Sequence, residues 1–414
     1  MALSRARMLD RDPELVRVED LVAGIRREPG AMPGLEALGR EAGVGASKLH
    51  ALFRRHFHST PARLLTAARI ATARRLLLET SRPVLDVAYE VGYESPSSFN
   101  ENFVRLTGMS PVDYRRLAGA RELELRLPAS YPRPAILAHL ARDPESATER
   151  VTGSVWEAGM WLDGVAARLS VEFSAGRARC RLEGRGRLPE GAAAAAHERV
   201  SRRLGLGSDP AGFEAKAASA PDLAPLVDGR RGLRLPLVAD PFECLLWAIL
   251  GQQVNLSFAR RLVRRVVERA GEPAGGSLWA PARAAAVAAL APKELAGMQL
   301  SRPKIDYLLG SAARVAAGEL DLEAMARGSA TRAEATLLAQ RGLGPWSVAY
   351  LMMRGLGFAD CVPVGDSGLA RALERFFRLP ARPGPRETRT LMERFAPHRS
   401  LATFHLWQSL EDAP

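Results

Sequence analysis

The chain has 414 residues, 47% apolar and 25% charged, enough for about two to four globular domains. Lys+Arg is 58 against Asp+Glu 46, a formal charge of +12 that favours a polyanionic partner, nucleic acid first. Cys180, Cys244 and Cys361 lie far apart, excluding a zinc finger, a cysteine-held iron–sulfur cluster and a disulfide framework, and no uncharged run reaches the roughly 18 apolar residues of a membrane helix.

Residues 14–118 predict a nearly all-helical region, punctuated by Gly and Pro. A helix–turn–helix reads from Leu35 through Gly43, with Ser47 as N-cap of a second helix carrying Leu49, Leu52, Phe53 and His56. A helix with Pro61 near its start follows. A second such pair runs through Val87-Ala88, Val91-Gly92-Tyr93, Ser98-Phe99 and Phe103. From 40 to 82 there are nine Lys/Arg against two acids, a phosphate-facing balance.

Residues 122–205 alternate in apolarity, as in Leu123-Glu124-Leu125-Arg126-Leu127 and Leu169-Ser170-Val171-Glu172-Phe173, predicting strands, with a helix over 192–204. From 206 to 412 the pattern is helical again. The sharpest motif there is Gly342-Leu-Gly344-Pro-Trp346, read as helix, tight hairpin, helix. Glycines permit close backbone approach and positive φ, and the helix that follows presents free N–H groups. About twenty residues on, Asp366 stands in the turn Gly365-Asp366-Ser-Gly at a helix N-terminus, where a plain N-cap is the competing role.

The first region resembles the AraC-type DNA-binding domain, on the second pair above together with Thr107-Gly108-Met109-Ser110-Pro111 and Tyr114-Arg115. The resemblance implies recognition helices at 47–56 and 96–106 in adjacent major grooves, with Ser47, Lys48, His50 and Arg54, then Ser97, Ser98, Asn100, Asn102 and Arg105, toward DNA.

The remainder resembles the helix–hairpin–helix DNA glycosylases of the 3-methyladenine glycosylase II type. The residues that carry the likeness are the hairpin, Asp366, Trp247 through Gln252-Gln253-Val254-Asn255, and Phe404-His405-Leu406-Trp407. The implied fold is a small α/β domain followed by an all-α helix–hairpin–helix domain. Asp366 is then the catalytic carboxylate, facing the oxocarbenium character that builds on the sugar. Trp346, Tyr350, Trp407 and, by loose alignment, His139 line the pocket for a flipped base. Gly342 and Gly344 grip the DNA backbone, and Gln253 is the wedge. The main-chain carbonyls of Leu338, Gln340 and Leu343 are the expected seat of a monovalent cation, with no zinc, no iron–sulfur cluster and no required cofactor. Strand cleavage in this superfamily uses a lysine two residues after the second hairpin glycine. Here that residue is Trp346, and no lysine follows Lys304, so a Schiff-base lyase is not expected.

Two functions follow. One is a monofunctional alkylbase glycosylase with an added sequence-directed DNA-binding domain. The other is an AraC-type regulator that uses the glycosylase fold as damage sensor or anchor. A non-catalytic architectural DNA binder is the bland alternative. The expected partner is double-stranded DNA, damaged and undamaged, with no membrane. The expected location is the bacterial cytoplasm, at the nucleoid.

Overall fold

The structure, a computed structural model, describes residues 9–32 and 34–411; Asp412, the last residue of the expected third region, lies outside them. Asp12 caps the helix Pro13–Arg27, whose apolar face Val18, Leu21, Val22 and Ile25 is buried. Helix Leu35–Ala42 stops at Gly43, which takes φ 61°, and helix Ala46–Phe57 follows. The cap of that helix is Gly45 rather than Ser47, because the chain re-enters helical geometry one residue earlier and leaves Ser47 exposed in the first turn. Helix Pro61–Glu79 is capped by Thr60. The second pair is Val84–Glu90 and Pro96–Thr107, joined through Gly92 at φ 90°, with Ser95 as cap.

The middle of the chain is an antiparallel sheet of β1 (Glu122–Arg126), β2 (Glu149–Thr152), β3 (Val155–Leu162), β4 (Val165–Ser174) and β5 (Arg177–Gly184), in the order β1-β5-β4-β3-β2. The period-two alternation puts Leu123, Leu125, Val171, Phe173, Ala178 and Cys180 on the buried face. The outer face carries cross-strand ion pairs, Arg168 with Glu157 and Glu183, and Arg181 with Glu122.

The buried face does not close on its own region. One continuous apolar core runs from Ile70 and Leu77 through Phe99, Phe103 and Tyr114 into Leu123, Trp156, Val171 and Val200. His197 Nε2 lies 2.7 Å from the Thr107 carbonyl, and Arg126 N–H donates to Gly108 O at 2.7 Å. The second helix–turn–helix and the sheet are therefore one packing unit, although the sequence pattern changes from helical to alternating between residues 118 and 122. The first helix–turn–helix has its own small core and docks on the C-terminal region. There Arg332 pairs with Glu19 and Asp10, and His56 Nδ1 lies 2.9 Å from Thr331 Oγ1.

The C-terminal core is built around the buried helix Pro241–Leu250. One element departs from the helical expectation: a β-hairpin, Glu272–Gly275 with Leu278–Ala280, turns through Gly275 and Gly276, both at positive φ. It packs on β3 so closely that a Cβ on Gly159 would sit 2.3 Å from Trp279 O. The Gly275-Gly276 pair supplies the positive φ that this tight turn needs, and helix resumes only at Ala284–Ala288. Among the described residues, no helix is long and apolar enough to cross a membrane.

Candidate active site

Helix Pro345–Tyr350 starts directly after the hairpin, with Gly344 as its N-cap. It continues as a π-helical turn, Leu351–Leu356, a rare geometry that recurs at functional sites. Across from it, Asp366 caps helix Ser367–Phe376, and Oδ1 accepts from Leu369 N–H at 2.7 Å. Helix Arg399–Ser409 brings in Trp407 from a third side.

These elements converge on the carboxylate. Trp407 Nε1 donates to Asp366 Oδ1 at 3.1 Å and Trp346 Nε1 to Oδ2 at 3.1 Å. Trp346 and Tyr350, four residues apart on one face, stack at 5.5 Å between centroids and 27° between planes, and the Tyr350 ring lies 6.3 Å from Trp407. Asp366 is thus an N-cap and a fixed anion at once, and the two roles do not compete. The capping bond and one indole bond end on Oδ1 and the other indole bond on Oδ2, within the capacity of a carboxylate's two oxygens.

A cavity of about 1660 Å³ opens beside this group. It is lined by Asp366, Trp346, Tyr350, Trp407, His139 and Gln253, and by the hairpin residues Gly342, Leu343 and Gly344. All the residues expected from the glycosylase likeness except Leu338 and Gln340 therefore face one space. Gln253 is exposed at the rim with φ 53°, a left-handed conformation that costs a non-glycine residue about 1–2 kcal/mol. Its neighbour Gln252 ties the rim to the hairpin, donating from Nε2 to Gly342 O at 2.7 Å and to Ser347 Oγ at 3.0 Å.

The two hairpin glycines differ from each other. Gly342 has φ 90°, and a Cβ there would lie 2.2 Å from Tyr307 Cγ, so it is required by the fold. Gly344 has φ −90° and ψ 176°, with nothing within 4 Å of a Cβ position. The expectation of positive φ at Gly344 does not hold, since its backbone is of a kind any residue adopts. The open space above it remains free for another surface to approach.

The cavity also has a polar floor that the sequence did not reveal. Arg354, Arg142, Arg203, Glu149 and Glu243 line it together with His139. His139 is buried, and desolvation, with Arg354 and Arg142 beside it, holds its imidazole well below the ordinary histidine range. Burial pushes the Glu243 carboxyl up to about 8 and the Tyr350 phenol up to about 12. Arg203 donates to Glu149 Oε1 at 2.7 Å, and Arg142 pairs with Glu411 at 2.6 Å. Most of these come from elements some 100–200 residues away, so no local motif marked them; only Arg354 stands in helical register with Trp346 and Tyr350.

The helix–turn–helix residues lie elsewhere. Ser47, Lys48, Arg54, Ser97, Ser98, Asn100 and Arg105 are exposed, and His50 and Asn102 half-buried. Lys48 pairs with Glu14, and Arg105 Nη2 donates to Asn102 Oδ1 at 2.7 Å. The basic excess over 40–82 is partly spent within the protein: Arg74 donates to Tyr114 Oη and Arg69 to Met32 O, while Arg63 pairs with Asp209.

A helix–hairpin–helix with one carboxylate beside it, joined to an antiparallel sheet region, is the arrangement that the resemblance to helix–hairpin–helix glycosylases implies. Comparison with known proteins agrees. Residues 38–117 match the helix-turn-helix domain family, 122–240 the AlkA N-terminal domain and 246–398 the HhH-GPD superfamily base excision DNA repair proteins. The chain belongs to the HhH-GPD superfamily, with an AraC-type helix-turn-helix region in front. It is 34% identical over 182 residues to a DNA-3-methyladenine glycosylase of Bacillus subtilis, a match covering 43% of this chain and 60% of that protein. It is 29% identical over 400 residues to a probable bifunctional transcriptional activator/DNA repair enzyme AlkA of Mycobacterium tuberculosis, covering 91% of this chain and 77% of that one. In fold it resembles a 3-methyladenine DNA-glycosylase from Archaeoglobus fulgidus, with a TM-score of 0.62 at 21% identity, over 70% of this chain and 99% of the other.

Proposed function

We propose that the chain is a monofunctional DNA glycosylase that hydrolyses the N-glycosidic bond of alkylated bases of the 3-methyladenine and 7-methylguanine type, acting on duplex DNA at the nucleoid. The observation that carries this is the Asp366 carboxylate, held by Leu369 N–H and the indoles of Trp346 and Trp407 at the mouth of an aromatic-walled cavity. The base leaves with the electron pair of the C1′–N bond. The fixed anion stabilises the cationic sugar, and water adds to C1′, losing a proton to the carboxylate or to solvent. Preorganised donors mean that the carboxylate need not reorient as charge develops.

Hydrolysis rather than strand cleavage follows from the nucleophiles at hand. Among the described residues no lysine lines the cavity, and Lys304 Nζ is engaged with Leu250 O at 2.9 Å. The hairpin carbonyls of Leu338, Gln340 and Leu343 are the groups that would hold a monovalent cation in this reading. Gln340 O already accepts Leu343 N–H at 3.2 Å and keeps its second lone pair for the ion, which would pin the hairpin to the phosphate backbone.

The second reading, transcription control by the helix–turn–helix region, is favoured by the exposed polar face of Pro96–Thr107, with Ser97, Ser98 and Asn100 toward solvent. The two readings hold together. The test is base release from methylated duplex DNA by wild type beside Asp366→Asn. The variant keeps the cap, since Asn caps as well as Asp, and loses excision by on the order of 10²–10³ or more. Borohydride should trap no protein–DNA adduct. Undiminished excision by Asp366→Asn rejects the assignment, and a trapped adduct rejects the hydrolytic route.

A further inference from the structure

The Asp366 carboxylate stands at one end of a two-sided frame. The loop 358–366 leads into it, and helix Arg399–Ser409 carries Trp407 to it, where the indole donates to Oδ1. The same two elements are knit together at their other end. Arg399 donates from Nε to Asp360 Oδ1 and from Nη2 to Oδ2, each at 2.7 Å. Cys361 N–H donates to Ser400 Oγ at 3.0 Å, and Ser400 Oγ to Phe358 O at 2.7 Å. From Arg399 the helix runs two turns, about 12 Å, to Trp407.

What lies against that far end comes from the first helix–turn–helix. His58 ends the recognition helix Ala46–Phe57 in a left-handed turn, φ 50°. Its Nδ1 accepts Asp360 N–H at 3.3 Å and lies 3.9 Å from Cys361 Sγ, and its ring meets Phe358 edge-on at 5.7 Å between centroids. Burial lowers the basicity of the imidazole, so the ring stays neutral and can accept at Nδ1. Two residues earlier, His56 Nδ1 faces Thr331 Oγ1 on helix Ala330–Leu338, the first helix of the hairpin, and Arg332 on that helix is held by Glu19 and Asp10. One recognition helix therefore touches both arms of the site, the hairpin and the loop to Asp366. A partly buried backbone N–H that loses its acceptor is costly, so without His58 the peptide at Asp360 would have to shift to find another.

We propose that His58 is a positioning residue for the Asp366 carboxylate, which makes the first helix–turn–helix a working part of base removal as well as a DNA-binding element. The proposal rests on the glycosylase reading above and goes beyond it, giving a residue of the N-terminal region a part in the reaction. The path is continuous. His58 fixes the Asp360 peptide, Asp360 and Arg399 fix the loop against the helix, and loop and helix meet again at Asp366 and Trp407. Stabilisation by a fixed anion depends on placement, and misplacing a group by about 1 Å can cost on the order of 10²-fold in rate. The grip of the hairpin main chain on duplex DNA does not pass along this path. Loss of the His58 acceptor should therefore fall on the rate of excision and spare affinity.

The test uses the full chain with His58→Asn and His58→Phe. Asparagine places Oδ1 where Nδ1 stands and tolerates the left-handed backbone; phenylalanine keeps a ring against Phe358 and loses the acceptor. Three quantities are measured at a temperature where melting curves show every variant folded: single-turnover release of 3-methyladenine from methylated duplex, affinity for undamaged duplex, and hydrogen–deuterium exchange over 358–369. His58→Phe should excise about tenfold more slowly, with affinity within twofold of wild type and faster exchange over 358–369. His58→Asn should stay close to wild type in all three. Should His58→Phe not fold, His58→Ala, which removes ring and acceptor without added bulk, should show the same loss of rate. Excision at the wild-type rate by the variant without an acceptor overturns the proposal. So does an equal loss in His58→Asn and His58→Phe, which would assign ring packing alone, and so does a loss shared equally by rate and affinity, which would mark a general structural role. Base release by no protein, wild type included, would reject the glycosylase reading, and exchange over 358–369 would still decide whether His58 holds the loop.

Discussion

Trp346 donates its indole N–H to Asp366 Oδ2 at 3.1 Å, although the two residues stand at the starts of different helices. Trp346 is therefore both a wall for the base and a clamp on the carboxylate. The two roles separate by substitution. Trp346→Phe keeps a ring and loses the donor, and should lower single-turnover excision about tenfold, the worth of one hydrogen bond to a charged group. Trp346→Ala also removes stacking worth roughly 1–3 kcal/mol and should fall further. Affinity for undamaged duplex should be unchanged in both. Equal losses in the two variants would mean that stacking contributes nothing.

The core shared by the second helix–turn–helix and the sheet gives a prediction about truncation. Phe99, Phe103 and Tyr114 are buried in the same cluster as Leu123, Leu125 and Trp156. Cutting the chain near 121 exposes the sheet face they cover, and large buried aromatics are each worth several kcal/mol. A 122–411 fragment should melt well below the intact chain or aggregate, with loss of near-UV circular dichroism. A fragment as stable as the full chain would show that the shared core contributes little.

The outline of the fold and most of the site were legible because they rest on local signals. Gly-flanked turns, period-two alternation over Val165–Ser174 and helical spacing of Trp346 and Tyr350 survive into the structure unchanged. What was not legible depends on long-range packing. Arg142, Arg203 and Glu149 reach the cavity floor from the sheet region, and nothing in their own neighbourhoods distinguishes them from surface charges. The sharing of one core across residue 120 was hidden for the same reason: amphipathic patterns show which face is buried, but not against what.

Glu243 supplies a pH dependence. Burial, reinforced by Asp240 and Glu149 and opposed by Arg199 and Arg203, raises its carboxyl from the ordinary 4.5 to about 8. The folded chain thus holds a proton that the unfolded chain releases. Stability from this group is complete below pH 4.5, declines as pH rises above it, and is lost once pH passes about 8. Glu243→Gln keeps the shape without the charge. It should raise the melting temperature at pH 8 more than at pH 5. A variant whose melting profile ran parallel to wild type across this range would show that Glu243 is not proton-linked to folding.

The hairpin glycines should behave in opposite ways. Gly342 combines φ 90° with a Cβ position 2.2 Å from Tyr307 Cγ. Alanine there meets both backbone strain, about 1–2 kcal/mol, and a clash with a ring that Arg341 covers at 5.8 Å. Gly342→Ala should therefore lower the melting temperature clearly and weaken DNA binding only as a consequence. Gly344 has neither constraint: its extended φ and ψ suit any residue, and its Cβ position is open. Gly344→Val should leave the melting temperature within a degree or two. It should weaken binding to damaged and undamaged duplex about equally, because it stands where the backbone N–H groups approach phosphate, a contact that carries no base information. Parallel thermal melts and duplex-binding titrations decide the matter. If Gly344→Val bound both duplexes as wild type does, the space above Gly344 would not be where DNA sits, and the grip assigned to the hairpin would have to move to the rim at Gln253 and Asn255.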